Sequence, residues 1–166
     1  MVAQSKDNRH NRSWALLAYR LPREPSSPRI ALWRKLKRLG AAQLVDGLVA
    51  LPLDNNTREQ LEWLAEEVVE AGGEATVWLA DLASSTQAPG LAAAMAAEIS
   101  ADYRNLIAEA ERCATEELGG QQKRTLARLR RELRRIHARD YFPPPERETA
   151  QQAVEALAAR IGEPVA

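Results

Sequence analysis

Residues 41–45 (AAQLV) and 48–53 (LVALPL) are short apolar runs separated only by Asp46-Gly47, and this arrangement constrains the fold more than any other segment. Asp-Gly readily adopts the positive φ angles of a two-residue hairpin loop, so the pair predicts a β-hairpin with a type I′ turn. A lone hairpin is barely stable in water and needs further strands or a covering helix. The neighbouring sequence offers both. Upstream, residues 14–21 (WALLAYRL) form a near-continuous apolar run of strand length. Pro22, Pro25 and Pro28 then mark a loop, and Ser26 or Ser27 stands where a helix cap belongs, with Pro28 tolerated in the first turn. That helix runs to Gly40, with Ile30, Leu32, Trp33, Leu36 and Leu39 toward one side and Arg34 and Arg38 opposite, flanked by Lys35 and Lys37.

Downstream, Leu61, Leu64, Ala65 and Val68 recur at helical spacing on an acidic background, with Asn55 or Asn56 as the expected cap and Gly72-Gly73 as the stop. Residues 75–79 (ATVWL) read as a closing strand. Strand, helix, hairpin, helix, strand is the order of a ferredoxin-like βαββαβ unit, in which two helices cover one face of a four-stranded antiparallel sheet. The expected core holds Trp14, Leu16, Trp33, Leu36, Leu48, Leu64 and Trp78. The second face of such a sheet has to be covered by the rest of the chain or by another subunit, which makes a homodimer an expectation.

The second half changes period. Residues 83–90 (ASSTQAPG) read as a linker, and Leu91, Met95, Ile99, Tyr103, Leu106, Ala110 and Cys113 then repeat every three or four positions. A helix over residues 91–118 follows, broken at Gly119-Gly120. Another is predicted over residues 121–139 with Leu126, Leu129, Leu133 and Ile136 as its apolar stripe. The pair predicts an antiparallel helical hairpin. Residues 141–145 (YFPPP) end the hairpin, and a short helix over residues 146–161 closes the chain. The expected organisation is a disordered basic tail (1–12), a ferredoxin-like domain (13–82), a linker (83–90) and a helical subdomain (91–166). The fold class is α+β.

Formal net charge is zero, but it arises by cancellation of blocks. Residues 1–40 carry ten Lys and Arg against two carboxylates, +8; residues 54–81 come to −7, residues 98–117 to −4 and residues 120–140 to +6. On the predicted second helical-hairpin element, Arg124, Arg128, Arg131 and Arg135 are spaced four, three and four apart, so their guanidinium groups share a ridge opposite the apolar stripe. Rows of guanidinium and ammonium groups are what a phosphate backbone requires, since each neutralised phosphate releases counterions. The candidate nucleic-acid-binding residues are therefore Arg34, Lys35, Lys37, Arg38, Arg124, Arg128, Arg131 and Arg135, with double-stranded DNA as the partner. The competing reading is a non-enzymatic interaction or dimerisation module whose basic faces pair with acidic helices or partners.

No P-loop, dinucleotide fingerprint, nucleophile elbow or His/Cys ligand spacing occurs, so the sequence predicts no enzyme, no cofactor and no metal site. His137 lies beside an apolar stripe, and Cys113 and Tyr103 on one, where packing explains them. The single cysteine admits no internal disulfide, and no apolar run matches a signal peptide or a membrane span, so a cytoplasmic protein with no membrane partner is expected.

Three stretches, residues 14–53, 61–81 and 126–145, resemble the N-terminal half of the ChrB chromate-resistance regulatory protein family. The resemblance rests on the order and spacing of Pro22, Pro25, Ser26, Arg29, Trp33, Leu39-Gly40-Ala41, Asp46-Gly47 and the later Arg139-Asp140. It implies a cytoplasmic transcriptional regulator of chromate-efflux genes whose N-terminal half binds DNA and whose separate C-terminal half is associated with chromate. Chromate sensing is not carried over, because the matching stretches end with the N-terminal half. The first unit is also similar to Cas2-like domains of other bacterial regulators. Cas2-type nucleases place an acidic metal ligand at the end of the first strand, where this chain has Ala18, Tyr19 and Arg20.

Overall fold

The computed structural model describes residues 13–83, 88–115 and 120–162, and it divides into two compact units that meet in sequence at Ala93 and Ala94. The first unit contains β1 (Ser13–Arg20), α1 (Ser27–Leu39), β2 (Ala42–Val45), β3 (Leu48–Pro52), α2 (Asn55–Glu70) and β4 (Glu74–Asp81). Its four strands form one antiparallel sheet in the order β2-β3-β1-β4, as the βαββαβ reading requires. Ala15 faces Leu51 and Leu17 faces Val49 across the central pair, and all four are buried. Alternation places them on one face of the sheet.

Local chemistry sets the element ends. Gly40 closes α1 in the left-handed region at φ 71°, and Ala41 N–H donates to the Leu36 carbonyl at 3.1 Å. The cap of α2 is Asp54, not Asn55 or Asn56: its carboxylate accepts from Thr57 N–H at 2.7 Å, while the Thr57 hydroxyl accepts from Asp54 N–H at 2.9 Å. Aspartate at this position closes a reciprocal capping box with Thr57, and the Thr57 hydroxyl also donates to the Pro52 carbonyl at 2.6 Å, tying α2 to β3. Ser26 occupies the cap position of α1 but makes no side-chain cap bond.

The hairpin exists, but its turn is not type I′. Only Gly47 has positive φ, 75°, and Asp46 does not. The pairing shifts register between Gln43 and Val45, an irregularity in β2 of the kind that accompanies a departure from the two-residue I′ loop. Gly47 is needed for space as well: its carbonyl accepts from Tyr19 N–H at 2.7 Å, and a Cβ there would lie 2.5 Å from the Tyr19 carbonyl oxygen.

Two aromatic residues expected in the core are on the surface. Trp33 is 56% and Trp78 57% exposed, whereas Trp14, Leu36 and Leu64 are buried and Leu16 and Leu48 half-buried. On α1 the buried residues are Leu32 and Leu36. The helix therefore seats a stripe narrower than its apolar content, and Trp33, about 80° from the centre of that stripe at 100° per residue, falls outside it together with Ile30. Trp78 lies on β4, an edge strand with a neighbour on one side only.

The second unit contains most of α3 (Ala88–Thr115), all of α4 (Gly120–His137) and α5 (Glu146–Ile161). Helix α3 begins at Ala88, so the last three residues of the expected linker are helical, while 84–87 lie outside the described residues. The expected basic tail and the residues up to Gly119 at the α3–α4 break lie outside them too. The two helices run antiparallel: Cys113, Glu109 and Asp102 on α3 meet Gln122, Arg128 and Arg139 in reverse order. Ile99, Tyr103, Leu106, Leu126, Leu129, Leu133 and Ile136 pack with Val154 and Leu157 of α5 into one cluster, and Cys113 is buried within it. No helix among the described residues is long and apolar enough to cross a membrane.

Candidate nucleic-acid interface

The eight cations named from the sequence fall on two helices in two separate units, four on α1 and four on α4. Each helix assembles its own set, and the structure divides each set by what the side chains touch. On α1, Arg34, Lys37 and Arg38 are exposed and have no ion-pair or hydrogen-bond partner among the described residues. Lys35 is half-buried and its ammonium pairs with Glu67 of α2. Lys35 is thus committed to the neighbouring acidic helix, and it marks the side of α1 that faces α2. At about 100° per residue, Lys37 lies 160° and Arg34 100° around the helix from Lys35, so these two turn away from Glu67, whereas Arg38 lies only 60° from Lys35.

On α4, Arg124 and Arg131 are exposed and unpartnered among the described residues. Arg128 pairs with Glu109 of α3, and Arg135 lies 3.5 Å from Glu132 one turn back on its own helix. The ridge read from spacing is real in register. Two of its four guanidinium groups are nevertheless held by carboxylates. Such half-exposed pairs are each worth about 0.2–1 kcal/mol, little enough that a phosphate could displace the carboxylate.

Sequence reading missed two features. The first is the exposure of Ile30 and Trp33, which with Arg34 and Lys37 stand at positions i, i+3, i+4 and i+7, one continuous stripe of α1. The signal lay in that same spacing, which was assigned to the core instead. The second is a polar network at the foot of α4. The Asp140 side chain is fully buried, and its Oδ2 accepts from the Tyr103 hydroxyl at 2.8 Å and from Arg147 at 3.4 Å. Alongside, Arg139 binds Asp102 at 2.9 Å. Asp140 Oδ1 and His137 Nε2 are buried with no hydrogen-bond partner among the described residues. The Tyr103 ring meets His137 edge-on at 5.9 Å between centroids. Burial and then the bond to Asp140 push the Tyr103 hydroxyl well above its ordinary range, so it stays protonated and donates. Burial first, and then the Arg147 guanidinium, hold His137 below the usual histidine value against the opposing pull of Asp140. This network locks the end of α4 to α3 and α5. Among the described residues no three His, Cys, Asp or Glu side chains gather as a metal site would need.

With this geometry in hand, comparison with known proteins identifies one family. A family model described as "Protein ChrB, N-terminal" matches residues 29–164. Protein ChrB of Cupriavidus metallidurans (strain CH34) is 37% identical over 67 residues, an alignment that covers 40% of this chain. It takes in 20% of the length of that relative.

Proposed function

The chain belongs to the family of ChrB N-terminal domains, and from that premise we propose that it is a DNA-binding element of a chromate-resistance regulator, without enzymatic activity. The observation that carries the reading is the segregation of cations that have no partner among the described residues: Arg34, Lys37 and Arg38 on α1 and Arg124 and Arg131 on α4. Charges that a fold has not used internally are available to phosphates, and their number sets how steeply affinity falls with salt.

The experiment is titration of a labelled duplex over a salt series with the parent protein and with two double reversals, Arg34→Glu with Arg38→Glu and Arg124→Glu with Arg131→Glu. Each pair should weaken binding to all duplexes and lower the salt slope, by roughly 0.9 per lost phosphate contact, while the fold is retained. A parent protein that binds no duplex at low salt would reject the reading.

A second reading keeps one observation in its favour. Lys35–Glu67 and Arg128–Glu109 use basic residues to join helices within each unit, as an interaction module would. It predicts that the same reversals change the oligomeric mass or melting temperature and leave no DNA affinity to lose.

A further inference from the structure

Helix α1 presents two large apolar side chains where solvation favours none. Ile30 is 47% and Trp33 56% exposed, and they are adjacent on one stripe. A single exposed apolar residue is unremarkable. Here the pair is bordered by Arg34, Lys37 and Arg38, all without partners among the described residues. The stripe also points away from the acidic helix α2, because Lys35, which faces Glu67, stands about 160° around α1 from Trp33. An anionic partner can therefore reach Ile30 and Trp33 without meeting Glu67.

The stripe from Ile30 to Lys37 rises about 10 Å, near three base steps of a duplex at about 3.4 Å each. Resting on the DNA-binding reading above, we propose that Ile30 and Trp33 form an apolar wedge that presses against the bases of double-stranded DNA while Arg34, Lys37 and Arg38 hold the flanking phosphates. Phosphate contacts alone make a salt-sensitive, sequence-blind complex. An inserted side chain unstacks a base step and bends the duplex, adding affinity that salt does not screen, and flexible pyrimidine–purine steps yield to it most easily. Indole stacks on any base, which suits a wedge of modest sequence preference. An anionic membrane is the less favoured partner, since two apolar side chains on a 13-residue helix offer too little buried area for interfacial anchoring.

The test uses the full chain with a duplex of about 30 base pairs bearing a central TA step and a dye at each end, so that anisotropy reports affinity and energy transfer reports bending. Trp33→Ala should weaken binding about tenfold at every salt concentration, leave the salt slope unchanged and abolish the bend, with Trp33→Phe recovering much of both. Trp33→Lys separates wedge from charge. It adds a cation, so a face acting by charge alone would bind more tightly, whereas a wedge loses affinity. All three variants should melt with the parent, because the position is exposed. Unchanged affinity and bend in Trp33→Ala, or tighter binding by Trp33→Lys, would overturn the wedge while leaving DNA binding in place. A parent that binds no duplex would remove DNA binding itself, and one that instead binds phosphatidylserine vesicles through Trp33 would overturn the proposal in favour of a lipid surface.

Discussion

Helices α1 and α4 carry similar sets of cations into different surroundings. Outside its seated stripe, α1 leaves three of its four candidate cations without a partner among the described residues and adds an exposed isoleucine and tryptophan. Helix α4 is richer in arginine, but it engages Arg128 and Arg135 with carboxylates and exposes no large apolar side chain. Its foot is anchored by the buried Asp140, to which Tyr103 donates. The difference teaches that the number of charges on a helix says little about their availability. Availability is decided by whether a carboxylate of the same or a neighbouring helix has already met them.

The contrast breaks first if the outer face of α1 turns out to carry stability. Leu61 of α2 is fully buried, and Leu61→Ala should cost about 2–5 kcal/mol in a denaturant titration. Trp33→Ala should stay within about 0.5 kcal/mol of the parent, as exposed positions do. Comparable losses for the two would mean that Trp33 is packed in solution, and the surface stripe would vanish.

Anchoring of α4 is the next quantity to measure. Asp140→Ala strands the buried Tyr103 hydroxyl and removes the partner of Arg147, and it should destabilise the helical unit by about 1–3 kcal/mol. Tyr103→Phe removes a donor and should cost less, near 1 kcal/mol. Melting curves of the two variants, followed by far-ultraviolet circular dichroism, check the order. A Tyr103→Phe loss exceeding that of Asp140→Ala would show that the ring and not the carboxylate holds the foot of α4.

A smaller effect separates the two halves of the α4 ridge. Replacing Arg124 and Arg131 together by alanine should lower the salt slope of DNA binding by up to about 2, and the same change at Arg128 and Arg135 should lower it by less, since those two bring their own carboxylates to the surface. Equal slopes would mean that Glu109 and Glu132 release their partners to DNA at no net loss.

Element order, the strand-to-helix spacing and most helix limits were legible because they follow from local rules: Gly40 ends α1, Gly72 with φ 78° follows α2, and Gly73 fits where a Cβ would lie 2.5 Å from the Arg20 carbonyl oxygen. The antiparallel pairing of α3 and α4 and the burial of Cys113 were legible from the apolar stripes. Trp33 and Trp78 were misplaced because hydrophobicity ranks a residue without saying how wide a stripe the sheet accepts or which strand lies at an edge. Pairing of the basic faces with acidic helices was legible as the competing reading, but not that Lys35 and Arg128 would be the cations engaged. Their partners are 32 and 19 residues away, and only tertiary structure chooses which carboxylate meets which cation. The buried Asp140 hid for the same reason, since the Tyr103 hydroxyl that satisfies it lies on another helix, 37 residues earlier.

The faintest expected signal is a pH dependence confined to the foot of α4. Burial and Arg147 hold the folded His137 below the ordinary histidine value, while Asp140 opposes them in part. A depressed pKa means that the unfolded chain takes up this proton first as the solution is acidified. The stabilising contribution of neutral His137 is therefore fully present above the unfolded histidine range, near pH 6.5, and declines as pH falls toward the folded value. His137→Gln keeps a polar side chain of similar reach without the titration. Between pH 8 and pH 5 the parent should lose more melting temperature than this variant, by a degree or so, and Asp140→Asn should widen the parental loss because it removes the one charge that favours protonated His137. Trp33→Ala should track the parent across the range, for the charges that shift His137, Arg147 and Asp140, belong to its own unit. A parent and a His137→Gln variant with superimposable pH profiles would show that the imidazole is solvated rather than enclosed, and the contrast between a braced α4 and a free α1 would then rest on Asp140 alone.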